Sequence, residues 1–224
     1  MLEYIKYAYI YPPRPIVKIT PAIVSKFDTV LHPNKNYGSY VCQPKFNGSA
    51  SVLFLNEDGF VKIMNRHNEP FSQDKLKPAE MDFKGLYRGK GWMVLNGELL
   101  NKQCRDENGK LGFNQQFIIY EILVYNNEYL IGSTLEERLK LLDELYPSLG
   151  KKYNHVIEIG VKGCYKTATY EKDFAGVYAD IIKTDLYEGL VLKRKNAKLE
   201  LGFREKNNIS WNFKCRKPHK NYRY

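Results

Sequence analysis

The sequence predicts an α+β fold: antiparallel sheets with interspersed helices, enclosing one ligand groove. Three observations lead there. Eighteen Tyr and eleven Phe in 224 residues suit half-buried pleated surfaces. Short apolar runs bounded by turn residues recur along the chain, and only a few windows carry helical periodicity. With 43% hydrophobic and 14% aromatic residues there is ample material for a core, and no repeat or long linker divides the chain. The expectation is a single domain over 1–224 with an extended leader at about 1–40.

The elements follow in order. Pro12, Pro13, Pro15, Pro21 and Pro33 punctuate the leader, which leaves room for one short helix at about 21–28 and an extended path around the domain. YVCQPKFNGSASVLFLNEDGFVKIMNR reads as three strands joined by turns at Asn47-Gly48 and Asn56–Gly59, an antiparallel meander. Residues 66–90 read as a polar loop with a short helix. WMVLNGELL at 92–100 is a strand, a charged loop follows at about 101–112, and FIIYEILVY at 117–125 is a strand. Thr134 and Glu137 form a capping box for a helix at 135–146 with Leu135, Leu139, Leu142 and Leu145 on its apolar face. A strand near 155–162 precedes a second helix at about 173–185, capped by Asp173, with Phe174, Val177, Tyr178, Ile181 and Ile182 toward the core. Strands at 190–195 and 210–216 complete the order.

The formal charge of +10, from 35 Lys and Arg against 25 Asp and Glu, favours a polyanionic partner, either nucleic acid or an acidic membrane surface. No run reaches the roughly eighteen apolar residues of a membrane span, and MLEYIKYAYIYPPRP has no uninterrupted apolar signal core. The expected setting is intracellular, cytoplasmic or nuclear, which includes viral and phage proteins made there, with no membrane partner. Cys42, Cys104, Cys164 and Cys215 show no C-x-x-C pair, and His32, His67, His155 and His219 are dispersed. Neither a zinc knuckle nor a dense disulfide framework is indicated.

Several short segments carry chemistry-bearing side chains, each with a plainer alternative. Lys45-Phe46-Asn47-Gly48 places a lysine before a tight turn where a phosphate can approach the backbone, yet a lysine beside a turn is also an ordinary solvated residue. Asn96-Gly97-Glu98-Leu99-Leu100 and Glu188-Gly189-Leu190-Val191-Leu192-Lys193 each set a carboxylate beside an apolar strand, as a functional acid, an exposed strand end or a structural ion pair. In Trp211-Asn212-Phe213-Lys214-Cys215-Arg216 the period of two puts Trp211, Phe213 and Cys215 on one face and Asn212, Lys214 and Arg216 on the other. Two cations on one sheet face are either a solvated surface or a triphosphate clamp.

Taken in this order, the segments resemble the covalent nucleotidyltransferase superfamily of ATP-dependent DNA ligases, RNA ligases and mRNA capping enzymes. KFNG resembles the K-x-D-G nucleophile motif, and NRHN supplies the arginine that follows about twenty residues on. NGELL resembles the ribose-binding glutamate motif, and FIIYEIL with TLEERLKLL the adenine-stacking motif and its helix. EGLVLK resembles the metal-associated glutamate motif, and NFKCRK the terminal basic motif. The resemblance covers about 40–217 and implies an ATP-grasp-like nucleotidyltransferase domain around a nucleotide-binding groove.

It further implies that Lys45 attacks the α-phosphorus of ATP to form lysyl-AMP, with Lys214, Arg216 and a magnesium or manganese ion beside Glu188 favouring the neutral amine and stabilising the phosphorane. Glu98 then accepts from the ribose and Tyr120 stacks on adenine, where core packing is the alternative for the ring. Arg66 holds a phosphate or ribose, Asn47 belongs to the cofactor-binding set with a side chain that hydrogen-bonds in the turn, and Lys193 is a phosphate contact or a solvated strand-end lysine. The expected substrates are RNA or DNA ends bearing a 5′-phosphate and a 3′-hydroxyl.

Asn47 stands where the family carries aspartate, and Arg216 replaces the second lysine of K-x-K, preserving charge but not a titrating acid. Ser49 and Ala50 follow Gly48, whereas DNA ligases and capping enzymes carry an arginine at the second position, which tilts the reading toward RNA. Eight residues beyond Arg216 leave no room for a C-terminal OB domain, so the expectation is either a stand-alone minimal ligase or a longer ligase cut after its catalytic domain, with a separate accessory domain or protein as a partner. A relative that kept the fold and lost catalysis is the non-enzymatic alternative.

Overall fold

The computed structural model describes residues 12–15, 17–27, 40–71, 80–100, 108–110, 112, 115–153, 155–200 and 212–218. Trp211, Cys104, His32, His219 and most of the predicted loop at 101–112 lie outside them. Two sheets organise the chain. The smaller has the order β1 (Val17–Lys18), β12 (Asn212–Arg216), β11 (Tyr187–Arg194), β2 (Tyr40–Phe46). The larger runs β4 (Val61–Asn65), β3 (Ser49–Asn56), β5 (Trp92–Leu100), β6 (Gln116–Tyr125), β10 (Cys164–Thr167), β9 (Val156–Val161), β8 (Gly150–Tyr153), with β7 (Glu128–Tyr129) also on β6. Pairing is antiparallel except β1 with β12 and β10 with β6.

The expected meander over 40–65 is corrected. β3 and β4 form a hairpin, but β2 pairs with β11 and β3 with β5. Asn47-Gly48 is therefore where the chain leaves one sheet for the other. The physical reason lies in what the bend packs on: a Cβ at Gly48 would stand 2.6 Å from Glu98 Cγ and from the Leu99 carbonyl. The bend is laid against β5, and only glycine allows that approach. β2 itself is buried from Tyr40 through Pro44, so it sits inside the molecule instead of alternating as a half-exposed hairpin arm does.

Helix α1 (Leu135–Leu145) begins at the expected capping box, Thr134 accepting from the Glu137 amide and Glu137 from the Thr134 amide. Leu135 and Leu142 are buried, and so is Arg138 between them. Helix α2 (Phe174–Ile181) starts at Asp173 but stops at Ile181, because Lys183 N–H turns back to the Asp180 carbonyl at 3.2 Å. Ile182, expected in the core, is 39% exposed. Strands β7, β8 and β10 escaped the sequence reading because two to four residues are too few to show a period of two. The leader contributes a 3-10 turn at Pro21–Phe27, whose Val24 is buried under the small sheet together with α2. Helix α1 packs on the other core, under the large sheet.

At Gly189 the backbone takes φ +142, and a Cβ would meet the Cys215 carbonyl at 2.0 Å. A Gly189→Ala variant is expected to lose about 1–3 kcal/mol of stability, read as an earlier midpoint in urea unfolding followed by circular dichroism. An unchanged midpoint would show that β12 gives way there without cost.

Candidate active site

A groove of about 960 Å³ is lined by both sheets and by Pro12–Pro15 of the leader. Lys45, Arg66, Glu98, Tyr120, Glu188, Lys193, Lys214 and Arg216 all line it, although they come from β2, the β4 end, β5, β6, β11 and β12. Asn47 does not: it sits half-buried in the sheet-switching bend.

The small sheet supplies the charged wall. Its register places Gly189 opposite both Lys45 and Arg216, and Val191 opposite both Gln43 and Lys214. Between Tyr187, which faces Phe46, and Gly189, which faces Lys45, the register slips. Glu188 is the extra residue of that bulge, and a bulge re-aims the side chain it carries. Glu188 Oε2 thereby reaches Lys45 Nζ at 2.6 Å and Arg216 Nε at 3.3 Å. Burial lowers the proton affinity of Lys214, reinforced by Arg216, Lys45 and Lys18 and opposed by Glu188. This wall holds more cationic than anionic groups, the arrangement a phosphate chain neutralises.

The large sheet supplies the floor. Glu98 lies between Ala50 and Ile118 in register and is 8% exposed. Burial pushes its carboxyl up to about 8; Lys45 opposes the shift, Glu188 adds to it, and the Gly48 amide and Arg66 oppose it. The Tyr120 hydroxyl donates to Glu98 Oε2. The Tyr120 ring lies 6.3 Å from Phe46, nearly parallel at 17°, and Lys193 Nζ stands 5.5 Å from its centroid. Lys193 is no solvated strand-end lysine: it is 7% exposed, its proton affinity is lowered by burial and supported by Glu121, and its ammonium is 3.9 Å from Glu121.

Arg66 occupies the rim. The Asn65 side-chain oxygen accepts from the His67 and Glu69 amides at 2.7 and 3.2 Å, a side-chain-stabilised turn. Arg66 Nε donates to His67 at 3.0 Å, and Arg14 of the leader donates to the Arg66 carbonyl. Arg14 is one residue that sequence reasoning missed. Gln43 is another: its Nε2 donates to Thr169 at 2.9 Å, while its buried Oε1 has no hydrogen-bond partner among the described residues. Behind Tyr120, the missed pair Glu121 and Arg138 is joined at 2.7 Å. The visible signal was a glutamate inside the otherwise apolar run FIIYEILVY.

Among the described residues no group of three or more His, Cys, Asp or Glu is set to hold a metal ion. Glu188, with a carboxylate already shared by two cations, fits a magnesium-like ion that arrives with phosphates and keeps its waters, and does not fit an all-protein cage.

A raised carboxyl pKa means that the folded chain keeps a proton the unfolded chain releases. The stability this confers is complete below the ordinary value of 4.5 and is lost as pH rises toward about 8. In Glu98→Gln, the difference in thermal midpoint from the parent chain is therefore expected to shift in favour of the variant as pH is raised across that window. A difference that does not change with pH would contradict the buried, protonated Glu98.

No curated protein matches the chain. Among solved structures it is similar to a mycobacterial DNA ligase D complexed with ATP and MES, with a TM-score of 0.62 and 16% identity, covering 92% of this chain and 60% of that one. It is also similar to the ligase domain from M. tuberculosis LigD, with a TM-score of 0.61, 15% identity and coverage of 91% and 58%. A third likeness is to the ATP-dependent DNA ligase from bacteriophage T7 in complex with ATP, with a TM-score of 0.53, 14% identity and coverage of 93% and 69%. At such identities the likeness shows a shared α+β fold, and the chain spans about 60% of the length of the first of these structures. The family model for the ATP-dependent DNA ligase domain matches residues 21–211, and the chain belongs to that family.

Proposed function

We propose that the chain is the nucleotidyltransferase core of an ATP-dependent polynucleotide ligase acting on RNA ends through a lysyl-AMP intermediate. One observation carries the covalent step: Lys45, on the wall of the groove, shares a carboxylate with Arg216 and stands beside Lys214. A lysine held among phosphate-binding cations at the end of a strand, against a glycine-permitted bend, is placed to attack a phosphorus rather than to solvate a surface.

ATP fits the groove from one end to the other in this reading. Tyr120 offers its ring to adenine, and Glu98 exchanges the Tyr120 hydroxyl for a ribose hydroxyl. Gln43 Oε1, a buried acceptor without a partner among the described residues, suits the exocyclic amino group of adenine and opposes the carbonyl of guanine, which favours ATP over GTP. Lys45 gives up its ammonium proton to solvent and Nζ bonds to the α-phosphorus as pyrophosphate leaves, with Lys214 and Arg216 on the developing charge. Arg66 reaches the ribose or a phosphate from the rim. Lys193 acts from beneath Tyr120, as a fixed cation behind the base rather than a free phosphate ligand. A magnesium or manganese ion entering with the phosphates would be held by Glu188 and would neutralise phosphate charge.

AMP then passes to a 5′-phosphate, and a 3′-hydroxyl displaces it to seal the strand. Ala50 supports RNA as the substrate: where DNA ligases and capping enzymes carry an arginine, the floor between Arg66 and Glu98 bears only a methyl group. The second reading, sealing of nicked DNA, is favoured by the family match over 21–211.

Sealing of 5′-phosphorylated RNA and of nicked DNA, run side by side with preadenylylated RNA, separates the two. RNA is expected to be joined faster, with joining falling at least about tenfold between about 50 and 200 mM salt, because a chain of charge +10 binds polynucleotide largely by counterion release. Lysyl-AMP formation on small ATP should fall much less. Faster sealing of nicked DNA would transfer the assignment to DNA, and salt-insensitive joining would remove the electrostatic basis of substrate binding.

A further inference from the structure

The leader reaches both walls of the groove. Arg14 is fastened to the Arg66 carbonyl on the rim. Four residues later, Lys18 lies in β1, directly opposite Lys214 of β12, and the next amide, of Ile19, donates to the Lys214 carbonyl at 3.0 Å. Paired residues on neighbouring strands project from the same face. Because Lys214 lines the groove, exposed Lys18 carries the cationic surface one strand further, about 4.8 Å outward.

This placement has a cost. Like charges directly opposite one another in a sheet repel, and Lys18 is among the charges that lower the proton affinity of Lys214. No ion pair with Lys18 is found among the described residues. A lysine on an edge strand protects that edge from pairing, but edge protection does not require the position that repels Lys214. A polyanion lying across both lysines turns the repulsion into attraction.

Direction identifies the anion. Lys45 is on β2, Arg216 and Lys214 are on β12, and Lys18 is on β1, so the cations lead across the small sheet away from the attacking amine. In-line attack sends the leaving oxygen away from Nζ. We infer that Lys18 is a further phosphate-binding cation, which with Lys214 and Arg216 holds the β- and γ-phosphates of ATP and the pyrophosphate that leaves. The assignment rests on the lysyl-AMP reading above.

Pyrophosphate itself is the probe. Lysyl-AMP is formed on the parent chain, Lys18→Ala and Lys18→Arg with ATP labelled at the α-phosphate, free nucleotide is removed, and pyrophosphate is titrated in. A pyrophosphate oxygen bonds to the phosphorus, the P–N bond breaks, the lysine nitrogen takes up a proton and ATP is released. Lys18→Ala is expected to need about fivefold more pyrophosphate for half-maximal release, the scale of one exposed contact between unit charges. Lys18→Arg should restore the parent value, and transfer of AMP to 5′-phosphorylated RNA should be unchanged in both variants. An unaltered pyrophosphate requirement in Lys18→Ala overturns the inference. A loss of transfer to RNA overturns it too, because the cation then serves the polynucleotide backbone. A parent chain that forms no lysyl-AMP fails earlier and removes the underlying reading instead.

Discussion

Two cations meet one carboxylate at the centre of the groove: Glu188 Oε2 is 2.6 Å from Lys45 Nζ and 3.3 Å from Arg216 Nε. The rest of the structure serves that meeting. Lys45 and Arg216 lie on β2 and β12, which do not pair; β11 runs between them and must deliver a side chain toward both. A regular strand cannot turn consecutive side chains to one face. The bulge at Glu188 solves this, and Gly189 makes it possible by accepting a backbone geometry and a carbonyl contact that no other residue tolerates. Gly48 plays the matching part on the other side, letting the chain pass from the small sheet to the large one against Glu98.

The arrangement also bears on the proposed reaction. Glu188 pairs with Lys45 and so holds its amine at the groove wall. In the proposed reaction, phosphates entering beside Lys214 and Arg216 would draw on the same cations, and Glu188 would hold a divalent ion that neutralises phosphate charge. The ion pair thus fixes Lys45 at little stability gain, since both partners are partly exposed. On the floor, burial favours the protonated form of Glu98, with the Tyr120 hydroxyl against it; in the proposed function that one hydrogen bond would couple ribose and adenine recognition.

Much of this was legible in the sequence because strand periodicity and motif order survive where overall identity does not. The alternation in Asn212–Arg216 correctly separated Lys214 and Arg216 from Cys215, and the Thr134 and Glu137 capping box marked a helix start to the residue. What escaped depended on long-range pairing. Asn47-Gly48 has the local chemistry of a hairpin, but nothing local reveals that β2 pairs with a strand about 145 residues away. By sequence Lys193 is either a phosphate contact or a solvated strand-end lysine, and only the fold shows the Glu121 and Arg138 pair that accommodates its burial. Arg14 and Lys18 lie in a proline-rich leader without periodicity, so their approach to the groove walls could be seen only in three dimensions.

The most direct measurement is peptide mapping by mass spectrometry after incubation with ATP and a divalent cation, under alkaline conditions that preserve the phosphoramidate. A single AMP adduct on the peptide that carries Lys45 is the expected result. An adduct on Lys193 or Lys214 instead, or no adduct on a chain that demonstrably binds ATP, would contradict Lys45 as the nucleophile around which the groove is organised.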